Sequence, residues 1–187
     1  MFTVYFLHHE SSLTAMALSD DHLREQLVET ESLLEVLRQG GDQSKLLAYR
    51  MFRGYDMFLL RHLWQLAHEG RRRRMCGYGA DDPYLRQHAQ FQRHGIPLVL
   101  KVPRWSGAAW LYESHRSQMI LRDPAHYAWR FPRTPLGMPY LYPQNVPGHF
   151  EFTVDVALGD RLWLKDGRRV IPRSMLEKYT HLQEAFV

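Results

Sequence analysis

Glu29 and His22 stand seven residues apart in a stretch with a strong helical period. At 100° per residue they fall within about 20° of one another on the helix surface. Leu33 and Val36 share that stripe, so Glu29 borders an apolar face. A carboxylate in a half-buried position tends toward a raised pKa, which suits general acid–base work near neutral pH. The same position equally suits a boundary residue paired to an arginine of a neighbouring helix. A second group of polar side chains, Ser114-His115-Arg116-Ser117, is followed by Arg122, Tyr127, Trp129, Arg130 and Arg133. Hydroxyls, imidazole and guanidinium groups contact phosphates, and alternating cations and aromatic rings stack on unpaired or flipped bases. Read as plain structure, the Ser-His-Arg-Ser run is a solvated helix face, and Trp129 and Phe131 are core residues. His8-His9 and the other nine histidines form no HxxxH or HExxH spacing, so no metal site is expected. His62 and Glu69 repeat the seven-residue spacing.

Charge along the chain favours a polyanionic partner. Residues 1–42 carry two Lys/Arg and eight Asp/Glu, for a balance of −6; residues 43–142 carry sixteen and six, for +10; residues 143–187 carry six of each. Twenty of the 24 basic residues are arginines. Arginine forks onto phosphate and stacks on bases, so a basic segment rich in aromatic residues points to nucleic acid. A GC-rich genome explains the Arg/Lys ratio equally well, but not the clustering. Arg71-Arg72-Arg73-Arg74 is the densest cluster. It follows a helix whose C-terminal dipole it complements, though four arginines exceed what one helix end uses.

The elements that must position these residues are mostly helices. Ser19 is an N-cap with Asp20 and Asp21 in the first turn and Leu18/Leu23 as a hydrophobic staple. The helix runs from about Asp20 to Gln39 and stops at Gly40-Gly41. Leu23, Leu27, Leu34 and Leu37 form its apolar stripe. A longer helix is expected from Ser44 to near Gly70, a third over about 83–94 after Asp82-Pro83, and a fourth over about 107–121, closed by Asp123-Pro124. A helical turn holds 126–130. Residues 2–7 read as a short strand or an extended arm, and the five prolines of 131–147 as a loop or linker. Beyond it the period becomes two, and Asp166-Gly167 between Arg161–Leu164 and Arg168–Ile171 is a hairpin signal. A last helix is expected near 173–185. The expected fold is therefore mainly α. A core of about four helices (1–143) is followed by a small β-hairpin-containing appendage (144–187).

The 187 residues contain one cysteine, Cys76, which excludes an internal disulfide framework and a cysteine-rich zinc site. No apolar run reaches the ~20 residues of a bilayer span, and Met1–Leu7 lacks the basic region of a secretory signal. A cytoplasmic protein without a membrane partner is expected.

Two segments together carry a family resemblance. Leu18-Ser19-Asp20-Asp21-His22-Leu23 followed by Val28-Glu29 resembles the opening helix of the endonuclease V-type pyrimidine-dimer DNA glycosylases, small helical proteins of phages and bacteria. Ser114–Ser117, Leu121-Arg122-Asp123-Pro124-Ala125-His126-Tyr127 and Pro139-Tyr140-Leu141-Tyr142-Pro143 resemble the C-terminal signature of its bacterial members. The likeness covers roughly residues 15–143. It implies a DNA repair enzyme, an N-glycosylase with abasic-site lyase activity and no cofactor. An N-terminal α-amine, here of Met1, would form an imine with the sugar, assisted by a glutamate at the position of Glu29. His22 would orient Glu29 or touch a phosphate. Arg71, Arg72, Arg73, Arg74, Ser114, His115, Arg116, Arg122, Tyr127 and Arg130 would hold DNA. An α-amine suits this role because it is partly neutral near pH 7. The chain departs from the family at Phe2, where a small residue is usual, and at Val28, where those enzymes carry arginine. Two other readings therefore stay open: a base-modifying transferase acting on a hydroxymethylated pyrimidine in phage DNA, and a non-catalytic DNA-binding module.

Overall fold

The computed structural model describes residues 3–40, 47–77, 79–138, 140–146, 149–154, 163–165 and 168–170. They form α1 (Ser11–Ala17), α2 (Asp20–Gln39), α3 (Leu47–Phe52), α4 (Asp56–Arg72), α5 (Pro83–Arg93), α6 (Ala109–Arg122) and α7 (Pro124–Tyr127), then β1 (Leu141–Val146), β2 (His149–Val154), β3 (Trp163–Lys165) and β4 (Arg168–Val170). The protein is mainly α, as its periodicity indicates. It divides into two units, Met1–Pro103 and Arg104–Val187, so the division falls well ahead of residue 143.

In the first unit α4 is the central element, packed on α1, α2 and α5. Its buried face is Leu59, Leu60, Leu63, Leu66 and Ala67, and α2 supplies Leu23, Leu27, Leu33 and Leu34. The Ser19 hydroxyl caps α2 by accepting the His22 N–H at 3.4 Å, and Gly40 closes the helix at φ 66°, a conformation that only glycine adopts at little cost. Leu18 and Leu23, the staple pair, are both buried. Asp82 caps α5 through the backbone N–H groups of Tyr84 and Leu85, with Pro83 at the first helical position.

The long helix expected up to Gly70 is two helices. Gly54 sits at φ 80° in the turn between α3 and α4, and that left-handed residue breaks the hydrogen-bond ladder. Ser44 lies outside the described residues. Helix α1, Ser11–Ala17, precedes the capped start of α2 and has no side-chain cap of its own. Residues 3–6 form no strand. Their backbone bonds instead to side chains of α2. Val4, Tyr5, Phe6 and Leu7 are nonetheless core residues, and the Thr14 hydroxyl of α1 accepts from the N–H groups of Leu7 (3.1 Å) and His8 (3.0 Å).

In the second unit α6 and α7 pack together, and α6 also meets β1. The core holds Trp105, Leu111, Met119, Ile120, Tyr127, Phe131, Met138, Tyr140, Leu141 and Tyr142. β1 and β2 pair antiparallel from Leu141↔Val154 to Val146↔His149. β1 therefore lies partly inside the stretch expected as a proline-rich loop. Pro143 is tolerated because both strands of a two-stranded ribbon are edges, so a missing N–H need not break an inner ladder. β3 and β4 pair antiparallel with Lys165 opposite Arg168, the register of a two-residue hairpin loop. Asp166-Gly167 and the expected helix at 173–185 lie outside the described residues.

Candidate functional site

Glu29 sits half-buried in the middle of α2, and its carboxylate accepts a hydrogen bond from the backbone N–H of Thr3. One turn earlier Gln26, 1% exposed, grips the same segment from both sides. Its Oε1 accepts from the Tyr5 N–H at 2.8 Å, and its Nε2 donates to the Thr3 carbonyl at 2.7 Å. The two side chains face the first residues of the chain because positions i and i+3 lie on one helix face. They replace the strand partner that residues 3–5 lack, so the start of the chain is fastened along α2. Gln26 has a signal in the sequence: an amide beside the leucines of an apolar stripe is expensive unless both its ends are bonded.

His22 is held at the start of the same helix, with Nδ1 2.8 Å from the Ser19 hydroxyl. Val28, between Glu29 and Leu27, is 65% exposed, so the departure from the family pattern lies on the surface. Met1 lies outside the described residues.

The arginine cluster is mostly committed to the fold. Arg71 pairs with Asp82, which is 1% exposed and also caps α5. Arg72 donates to both oxygens of buried Glu69 at 2.7 and 2.6 Å, and Arg73 donates to one of them at 2.6 Å. Arg73 also binds Asp20 at 2.9 Å and the carbonyls of Ala15, Met16 and Leu18, tying α4 to α1 and to the start of α2. Hydrogen bonds from Arg72 and then Arg73 hold the Glu69 carboxyl below its ordinary range against the opposing effect of burial. Arg71 and Arg73 are thus ties between helices rather than a phosphate grip. Arg74 is exposed at φ 59°. Of the run, Arg74 and the outer edge of Arg72 stay at the surface.

His62, seven residues before Glu69, is fully buried with its ring 4.4 Å from that of Phe6. Neither ring nitrogen has a hydrogen-bond partner, and burial drives its pKa down to about 3. It is a neutral core ring. Among the described residues no group of His, Cys, Asp and Glu could hold a metal ion.

In the second unit the Ser-His-Arg-Ser run faces inward. The Ser114 hydroxyl accepts from the Leu141 N–H and the Ser117 hydroxyl from the Met138 N–H, both at 3.0 Å. His115 lies flat against Tyr140 with 4.2 Å between ring centres, and its Nε2 is 3.2 Å from the Leu141 carbonyl. A carbonyl only accepts, so this nitrogen carries the proton. These three residues are fully buried and bind the chain at 138–141, which corrects their assignment as phosphate contacts. Four donors or acceptors spaced 114, 115, 117 and 118 form one polar helix face; here it meets backbone instead of water, with Gln118 donating to Met138. Tyr127 is also buried, parallel to Phe131 at 6.4 Å, and is not available to a base. Arg116 lies 5.0 Å over Phe131, where desolvation lowers its pKa.

What remains on this surface is Arg122, Arg130 and Arg133, all exposed, and Trp129, 67% exposed. The Arg130 guanidinium sits 4.6 Å over the Trp129 ring. Trp129 is therefore not a core residue, whereas Phe131 is. A cation covering one part of an exposed indole leaves a planar, positively biased patch that suits a nucleobase and its phosphate.

Set against known proteins, the chain matches no family model, no curated protein and no solved structure. Among the described residues no helix is long and apolar enough to cross a membrane.

Proposed function

We propose that this chain is a DNA-acting enzyme of the glycosylase and abasic-site lyase kind, with Glu29 as its acid–base carboxylate. The observation that carries the reading is the bond between Glu29 and the Thr3 N–H. Two residues of extended chain span about 7 Å at most, so covalent geometry keeps the Met1 amine within that reach of Thr3. An amine tethered within that limit of a carboxylate-bound residue can supply the nucleophile of imine chemistry. The amine attacks C1′ of the damaged nucleotide and the C1′–N bond to the base breaks, with the base leaving protonated. The C1′–O4′ bond of the sugar ring then opens, with O4′ taking a proton from water, and the resulting iminium is stabilised by the Glu29 carboxylate. That carboxylate then takes a C2′ proton, and the 3′-phosphate departs by β-elimination. The exposed Trp129–Arg130 pair and the balance of +10 over residues 43–142 support DNA as the partner.

The Gln26 contacts favour a second reading, because Gln26 and Glu29 grip the same segment in the same manner. On that reading Glu29 is a fastening for the start of the chain and the protein binds DNA without catalysis. Borohydride reduction in the presence of abasic-site DNA separates the two. The enzymatic reading expects a covalent protein–DNA adduct that is lost in Glu29→Gln and in protein whose α-amine is acetylated. Wild-type protein that binds this DNA yet gives no adduct and no strand cleavage leaves the non-catalytic module.

A further inference from the structure

The outward face of α4 carries a pattern that the site above does not use. Arg61, Trp64, His68 and Arg72 follow one another at intervals of three, four and four residues, within an arc of about 80°. All four are exposed, Trp64 at 40% and the Arg72 side chain at 62%. The Trp64 and His68 rings are 6.2 Å apart and tilted by 50°. The two arginines bracket the aromatic pair and lie about 16 Å apart along the axis at 1.5 Å per residue. The acids of this helix, Asp56 and Glu69, do not interrupt the stripe: Asp56 is half-buried at the first turn, and Glu69 is buried beneath Arg72 and Arg73.

Burial accounts for the rest of α4 but not for this face. Leu59, Leu63, Leu66 and Ala67 already satisfy the core. An indole and an imidazole left on the surface between two guanidinium groups expose apolar rings in a cationic setting. That combination fits a polyanion with flat apolar faces better than it fits an acidic peptide, which offers carboxylates but no faces to stack. A duplex keeps its bases stacked inside, so the rings would meet only its backbone. Unpaired bases offer both features at once.

We infer that the Arg61–Trp64–His68–Arg72 face is a stacking platform for unpaired nucleobases, with Arg61 and Arg72 meeting the flanking phosphates. The inference rests on the nucleic-acid reading above for its class of ligand, but it requires neither Glu29 nor a terminal amine. Anisotropy of a labelled twelve-residue oligothymidylate, titrated with the full-length protein at several salt concentrations, tests it. Trp64→Ala weakens binding by about tenfold, the loss of one stacked base, and Trp64→Phe restores most of it. Arg61→Gln lowers the slope of log K against log salt by about 0.7, one phosphate contact on a single strand. Circular dichroism of each variant checks that the helix is intact. Binding unchanged in Trp64→Ala overturns the inference, as does the absence of oligothymidylate binding by the wild type. Trp64-dependent binding to phosphatidylserine vesicles in place of the oligonucleotide also overturns it. If borohydride traps no adduct on abasic-site DNA while oligothymidylate binding depends on Trp64, the lyase reading falls and the platform stands. An adduct together with Trp64-independent binding gives the reverse.

Discussion

His62 should make the protein acid-sensitive in a pH range where its carboxylates are still ionised. Its ring is 0% exposed, both ring nitrogens lack partners, and burial depresses its pKa to about 3 from an ordinary 6.5. The unfolded chain binds a proton near pH 6.5 that the folded chain refuses until about pH 3. The stabilising contribution is therefore complete above pH 6.5 and is lost as the pH falls toward the folded value. One proton corresponds to about 1.4 kcal/mol per pH unit, so about 2 kcal/mol should be gone by pH 5. The carboxyl of Asp56, raised by burial, acts with the opposite sign, since the folded state holds its proton more tightly. The comparison must therefore be a difference between the wild type and His62→Leu, in which the Asp56 contribution cancels. Leucine fills similar space and removes two unpartnered polar atoms, so at pH 7 the variant should be more stable by about 1 kcal/mol. Urea unfolding at half-unit steps from pH 7 to 5 measures both quantities. The wild type should lose about 2 kcal/mol relative to His62→Leu over this interval. Parallel stability curves would refute the reasoning, and would mean that the imidazole is hydrated or partnered in solution.

Gln26→Ala should cost about 2 to 4 kcal/mol in urea unfolding, because it strips partners from the Tyr5 N–H and the Thr3 carbonyl. Glu29→Gln should change stability by less than about 1 kcal/mol, since an amide oxygen still accepts from Thr3. Its loss of strand cleavage, if Glu29 is the acid–base group, should be on the order of a hundredfold or more. Asp82→Ala should destabilise by about 3 kcal/mol, because it removes the α5 cap and leaves Arg71, whose side chain is only 11% exposed, without its carboxylate. Ser114→Ala leaves the buried Leu141 N–H without an acceptor and should cost about 1 to 3 kcal/mol, read in the same way.

The helical character of this chain and several of its helix ends are written locally. Ser19, Gly40, Asp82-Pro83 and Asp123-Pro124 act on their own neighbours within a turn, so their effects can be read from a few consecutive residues. Even so, Gly54 separates α3 from α4 within one run of helically spaced apolar residues, because periodicity registers side chains and not the sign of φ. Glu29 was legible as a boundary residue on α2, but its partner was not, since Thr3 is 26 positions away along the chain.

The arginine run and the Ser114–Ser117 face mark the limit most clearly. Residue types establish that Arg71, Arg73, Ser114, His115 and Ser117 carry hydrogen-bonding groups, and nothing local says whether phosphate, water or protein will meet them. Tertiary packing gave those groups to Asp82, to Glu69 and Asp20, and to the backbone of residues 138–141. It left Trp64 and Trp129 outside. A polar side chain is bound by whichever partner the fold brings within about 3 Å, and that distance belongs to the folded chain rather than to the order of its residues.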